Sequence, residues 1–142
     1  VSGTDVFVAW QALGVSRATR TAALRALAPL AVMGLIFWSS AQSGGGDIPF
    51  WATVVAHFSE YALLGALWLW ALYPLAGCAA LPAAAAIALA YAISDEIHQS
   101  YVPGRDSDPF DVLVDSAGIA AALGLAYARG AIRVCHRSDQ DG

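Results

Sequence analysis

A chain of 142 residues fits one domain, yet 58% of them are hydrophobic, only 13% are charged and mean hydropathy is positive, a balance rarely seen in a soluble domain of this size. Lysine is absent and the net charge is -4; without a basic face, zinc-knuckle spacing or an aromatic RNA-binding motif, no nucleic-acid partner is expected. Cys78 and Cys135 lie far apart with no second Cys or His at ligand spacing, so neither a CxxC redox pair nor a zinc site is indicated and two reduced thiols are expected.

In chain order, residues 6–15 are apolar but too short to cross a bilayer and are expected at its interface. Arg17, Arg20 and Arg25 follow. Residues 26–46 carry no charge, and 27–38 are strongly apolar, which gives a first span at about 26–42 across a hydrocarbon core roughly 30 Å thick. The basic leader and the small residues Ser39-Ser40-Ala41 also fit a secretory signal peptide, against which the bulky Phe37 and Trp38 beside the cut weigh. Residues 61–94 hold no charge and are interrupted by Pro74, Gly77 and Pro82, which read as a turn between spans at about 50–73 and 81–99. The last apolar run, 112–128, carries only Asp115; it forms a fourth span at about 109–129 if that carboxylate faces the bundle interior. Ser107-Asp108-Pro109-Phe110-Asp111 reads as its start, with Asp108 as N-cap, Pro109 as first helical residue and Asp111 closing a capping box. Asp47 before Ile48-Pro49 reads the same way for the second span.

The expected fold is therefore an all-α membrane protein, a bundle of four transmembrane helices. Each apolar run is about twice as long as a barrel strand needs, and the period-2 alternation of a β-barrel is missing. Ala- and Gly-rich stretches such as 83–86 and 118–124 suit close helix contact in lipid. Six of the seven arginines flank the spans at the chain ends, so the positive-inside rule places both termini in the cytoplasm. Residues 1–25 then form a cytoplasmic or interfacial segment, 26–129 the transmembrane domain and 130–142 a cytoplasmic polar tail. The loops around Gly44 and Gly104 face outside, the turn at Gly77 faces inside, and Trp38 and Trp51 sit at the outer interface.

Threaded this way, most of the polar chemistry falls on one side. His57 and Glu60 lie toward the outer part of the second span, and Asp95, Glu96, His98 and Gln99 at the outer end of the third. Arg105, Asp106 and Asp108 occupy the next loop, and Asp111 and Asp115 the first turns of the fourth. The spacing of His57 with Glu60, and of Asp111 with Asp115, puts each pair on one helix face. Ionisable groups within a span are costly unless they face one another or water, which points to a shared cavity. The bland alternative is that they only hydrogen-bond neighbouring helices. Arg105, the sole cation between the terminal clusters, suits either a salt bridge with Asp111 or a bidentate grip on an anionic head group.

The segments HFSEYALLGAL at 57–67 and YAISDEIHQSYVPGRDSDPFDVLVDSAGIAAALG at 91–124 resemble the VanZ-like family. Its pattern runs through HFxEYxxLG, then ExxQx(F/Y)xPxR, then Dxxx(D/N)xxG. Ser39-Ser40 is similar to the polar end of that family's first helix. Tyr101 stands where Phe is frequent, and Asp115 where Asn is. The resemblance implies His57, Glu60, Glu96, Gln99, Arg105, Asp111 and Asp115 as site positions, in a multi-pass cell-membrane protein of a family named for resistance to the glycopeptide teicoplanin. It does not imply a reaction.

The leading expectation is an outward-facing polar site for a membrane lipid, namely an anionic lipid or a lipid-linked precursor of the bacterial cell envelope. His57, Glu60, Glu96 and Asp111 would be its catalytic groups, and Arg105, Gln99 and Asp115 would bind substrate. The carboxylates could instead hold a divalent cation such as Mg²⁺ or Ca²⁺. Two alternatives are a non-catalytic membrane binding or accessory protein and a small proton-coupled carrier, for which four helices are few. No nucleotide loop, GxSxG elbow or HExxH helix is present, so NTPase, serine-hydrolase and zincin readings are set aside.

Overall fold

The structure, a computed structural model, describes residues 14–42, 49–105 and 107–130. Expectations for residues 1–13, Asp47, Asp106, Cys135 and the tail beyond 130 lie outside that set. Among the described residues there are four α-helices, α1 (Arg17–Ser40), α2 (Phe50–Ala76), α3 (Ala80–Gln99) and α4 (Pro109–Ala128), with a short 3-10 turn, Gly77–Ala79, between α2 and α3.

Three of the four expected spans coincide with helices to within a few residues. The exception is the start of α1, which precedes its apolar run because Ser16 caps it: the Ser16 hydroxyl accepts the Thr19 N–H at 3.1 Å. Between α2 and α3 the break falls at Gly77, whose φ of 52° is a left-handed value that a side chain would resist. Pro74 lies inside α2 and Pro82 in the first turn of α3. Pro74 has no N–H for the carbonyl of Trp70 four residues back. Arg25 supplies the missing donor, its Nη1 lying 3.1 Å from the Trp70 carbonyl and its guanidinium stacking over the Trp70 ring at 4.7 Å.

These contacts define an alternating bundle. Arg25 at the start of α1 meets the end of α2, and Ser40 at the end of α1 meets Asp95 at the end of α3. His57 near the start of α2 meets Asp115 near the start of α4. Neighbours in sequence are thus antiparallel, and the ends of α1 and α3 share one pole with the starts of α2 and α4. The core is narrow. Ala80, Ala84, Ala88 and Ala92 form a fully buried stripe on α3, against which Tyr61 and Leu64 of α2 pack. On the other side of α2, Gly118 of α4 comes so near that a Cβ there would stand 2.3 Å from the Phe58 carbonyl oxygen.

The outer surface is apolar: Leu24, Leu27, Leu35, Leu113 and Tyr127 are all more than 60% exposed. In water such a surface would associate, whereas in lipid it is the contact face. Three helical stretches, Arg17–Ser40, Phe50–Gln99 and Pro109–Ala128, are long and apolar enough to cross a membrane, the second being the α2–α3 hairpin. The chain is an all-α membrane protein.

The thiol expectation is corrected. Cys78 is disulfide-bonded. Short-interval spacing rules detect redox and metal motifs and do not report on a structural disulfide.

Candidate functional site

The buried polar side chains are concentrated at one pole. Ser40, His57, Asp95, Glu96, Gln99 and Asp115 are each less than a tenth exposed, and all lie in the last turns of α1 and α3 or near the starts of α2 and α4. A cavity of about 190 Å³ opens there, lined among others by Ser39, His57, Glu60, Asp95, Gln99 and Arg105. It is smaller than the roughly 300 Å³ at which drug-sized pockets begin, so it suits a head-group fragment rather than a whole lipid.

His57 is the hub. Its Nδ1 lies 3.1 Å from Asp115 Oδ1, and its Nε2 lies 3.9 Å from Asp111 Oδ2, beyond hydrogen-bond range. An ionised Asp115 can only accept, which places a proton on Nδ1; in the neutral imidazole Nε2 then carries the lone pair. On one side His57 faces the cavity with Glu60; on the other it faces Glu96 and Asp111, and one ligand-capable atom from each of His57, Glu96 and Asp111 lies within 4.8 Å of the others. The seven sequence-derived positions therefore fall at one pole but in two groups that share His57. Glu60, Gln99 and Arg105 belong to the cavity; Glu96, Asp111 and Asp115 lie behind it.

Several roles differ from expectation. Arg105 reaches neither Asp111 nor open space alone: its Nη2 donates to the Ser39 carbonyl at 2.9 Å and its Nε to the Gln42 carbonyl at 3.3 Å, binding the loop to the end of α1. The capping box at α4 is half formed. Asp108 is the N-cap and accepts the Phe110 N–H at 2.9 Å, but its own N–H goes to Glu96 Oε2 at 3.0 Å, leaving the Asp111 carboxylate beside His57. Gln99 donates to Asp95 Oδ2 at 2.9 Å, and the Ser40 hydroxyl donates to Asp95 Oδ1 at 2.7 Å. Asp95 and Ser40, which sequence reasoning left out of the site, thus brace α3 against α1. The signal was present in the charge at 95 and the paired serines at the end of an apolar run, but nothing in the sequence joined them.

A family model described as VanZ/LLP1 matches residues 25–132. Among curated proteins and among solved structures nothing matches the chain.

Proposed function

The chain belongs to the VanZ/LLP1 family, and from that premise we propose that it is a multi-pass cell-membrane protein whose cavity receives the phosphate-bearing head group of an anionic lipid or a lipid-linked envelope precursor. The observation that carries this reading is the cavity itself, a small polar chamber at one pole of an apolar bundle, with a guanidinium, an imidazole and two carboxylates on its wall. Arg105 uses two donors on carbonyls and retains others for a phosphate oxygen. His57, oriented by Asp115, serves as the acid or base, and Glu60 on the next turn faces the same space. Through envelope lipids the protein contributes to teicoplanin tolerance.

Incubating the purified protein with a polyprenyl phosphate or diphosphate, and separately with an anionic phospholipid, in mixed micelles tests this. Head-group or phosphate release is expected, with loss of at least about 100-fold in His57→Ala, the size of a typical general acid–base contribution. A second reading is favoured by a specific observation: Ser40 and Gln99 both already donate to Asp95, as in a rigid binding or accessory protein. Saturable lipid binding without turnover would establish that reading. Neither binding nor turnover would sink both.

A further inference from the structure

We propose that His57, Glu96 and Asp111 hold a divalent transition-metal ion, zinc or manganese, behind the cavity. Glu96 is 7% exposed; its Oε2 takes the Asp108 N–H, while the buried Oε1 has no hydrogen-bond partner. An unpartnered carboxylate oxygen away from water is a deficit that a cation removes. The complementary ligands are close by. One atom from each of His57, Glu96 and Asp111 lies within 4.8 Å of the other two, and His57 Nε2 stands 3.9 Å from Asp111 Oδ2. That separation is too long for a hydrogen bond. Three ligand atoms each about 2.1 Å from one ion in a tetrahedral shell, by contrast, stand about 3.4 Å apart, so side-chain adjustments of up to roughly 1.4 Å complete the set.

Asp115 is the positioning residue. It is 1% exposed and accepts the Nδ1–H of His57, so in the neutral imidazole the free lone pair is on Nε2, the carboxylate–histidine–metal arrangement of many metalloproteins. One imidazole with two carboxylates suits Zn²⁺ or Mn²⁺ better than Mg²⁺ or Ca²⁺, which favour all-oxygen shells. Two negative ligands also balance a dication at this largely dehydrated pole. Three protein ligands leave a position open for water or a phosphate oxygen. The assignment does not rest on the lipid reading, and metal alone is its probe.

Protein purified in detergent, stripped with EDTA, is titrated calorimetrically with ZnCl₂ and, separately, with MnCl₂, and bound metal is counted after gel filtration. Stoichiometric binding is expected, and the Mn²⁺ form should show ¹⁴N coupling from the His57 imidazole in its electron spin-echo spectrum. Glu96→Gln and Asp111→Asn should each weaken binding by at least about tenfold, and Asp115→Asn by about 10- to 100-fold. Glu60→Gln, in the cavity but outside the triad, should leave affinity unchanged. If a variant loses its helical circular dichroism, the ¹⁴N coupling in the unaltered protein decides. Absence of stoichiometric binding of both Zn²⁺ and Mn²⁺, Mn²⁺ bound without ¹⁴N coupling, or affinity that survives Glu96→Gln and Asp111→Asn together overturns the assignment.

Discussion

Arg105 directs its planar fork at the carbonyls of Ser39 and Gln42 rather than at a carboxylate. A charged donor to a neutral acceptor is worth about 1.5–3 kcal/mol when sheltered; at this half-exposed loop the loss in Arg105→Ala should be about 1 kcal/mol. Lysine keeps the charge but reaches one carbonyl at a time, so Arg105→Lys should fall between. Because Arg105 and Asp111 are not partners, Arg105→Ala and Asp111→Asn should be additive to within about 0.5 kcal/mol in denaturant unfolding. A larger coupling would restore the salt bridge with Asp111, one of the two roles the sequence left open. Side-chain pairs at helical spacing were legible: His57 with Glu60 on one face, Asp111 with Asp115 on another. Bonds to backbone were not, because a carbonyl such as that of Ser39, or an N–H such as that of Asp108, carries no signature in the sequence. For the same reason Asp111 looked like a cap, when Glu96 from another helix had already taken the Asp108 N–H.

At the scale of elements, α2 and α4 meet where Gly118 lies against the Phe58 carbonyl, with Gly65 facing Ile119 across the same seam. Gly118→Ala would place a methyl carbon 2.3 Å from that oxygen, forcing the helices apart at a cost of about 1–3 kcal/mol. Since the same seam holds His57 against Asp111 and Asp115, the site should loosen with it. Gly124, with nothing within 4 Å of an added Cβ, is the control: Gly124→Ala should be neutral or stabilising by up to about 1 kcal/mol. Reversible unfolding in mixed micelles reads both. Apolar length and the Gly77 break made the helices themselves legible. The early start of α1 was hidden because Arg17, Arg20 and Arg25 mask about two and a half helical turns that its serine cap supports.

For the molecule as a whole, one polar pole and a sheath of apolar side chains suit a bilayer, but the pole's side is a separate matter. The arginine count argues for cytoplasmic termini and an outward-facing site; the disulfide at Cys78, near the opposite pole, favours an oxidising compartment there. Reporter fusions within residues 43–47 and after Arg133 should report exterior and cytoplasm respectively. Both on one side would refute four crossings, and the reverse assignment would turn the site inward.

An apolar helix surrounded by lipid gains little from facing one way rather than another, since hydrocarbon chains resemble its own side chains. For α1 that freedom is removed by polar contacts along its length, two of them made by arginines about four turns apart. Arg25 plugs the carbonyl that Pro74 strands on α2, and about four turns further on Arg105 grips the α1 terminus from the loop before α4. One pin would let the helix swivel; several, spaced along it, index it like a key. The wall that α1 presents to His57, formed by Ile36, Ser39 and Ser40, therefore owes its alignment in part to a proline and an arginine at the far end of the bundle.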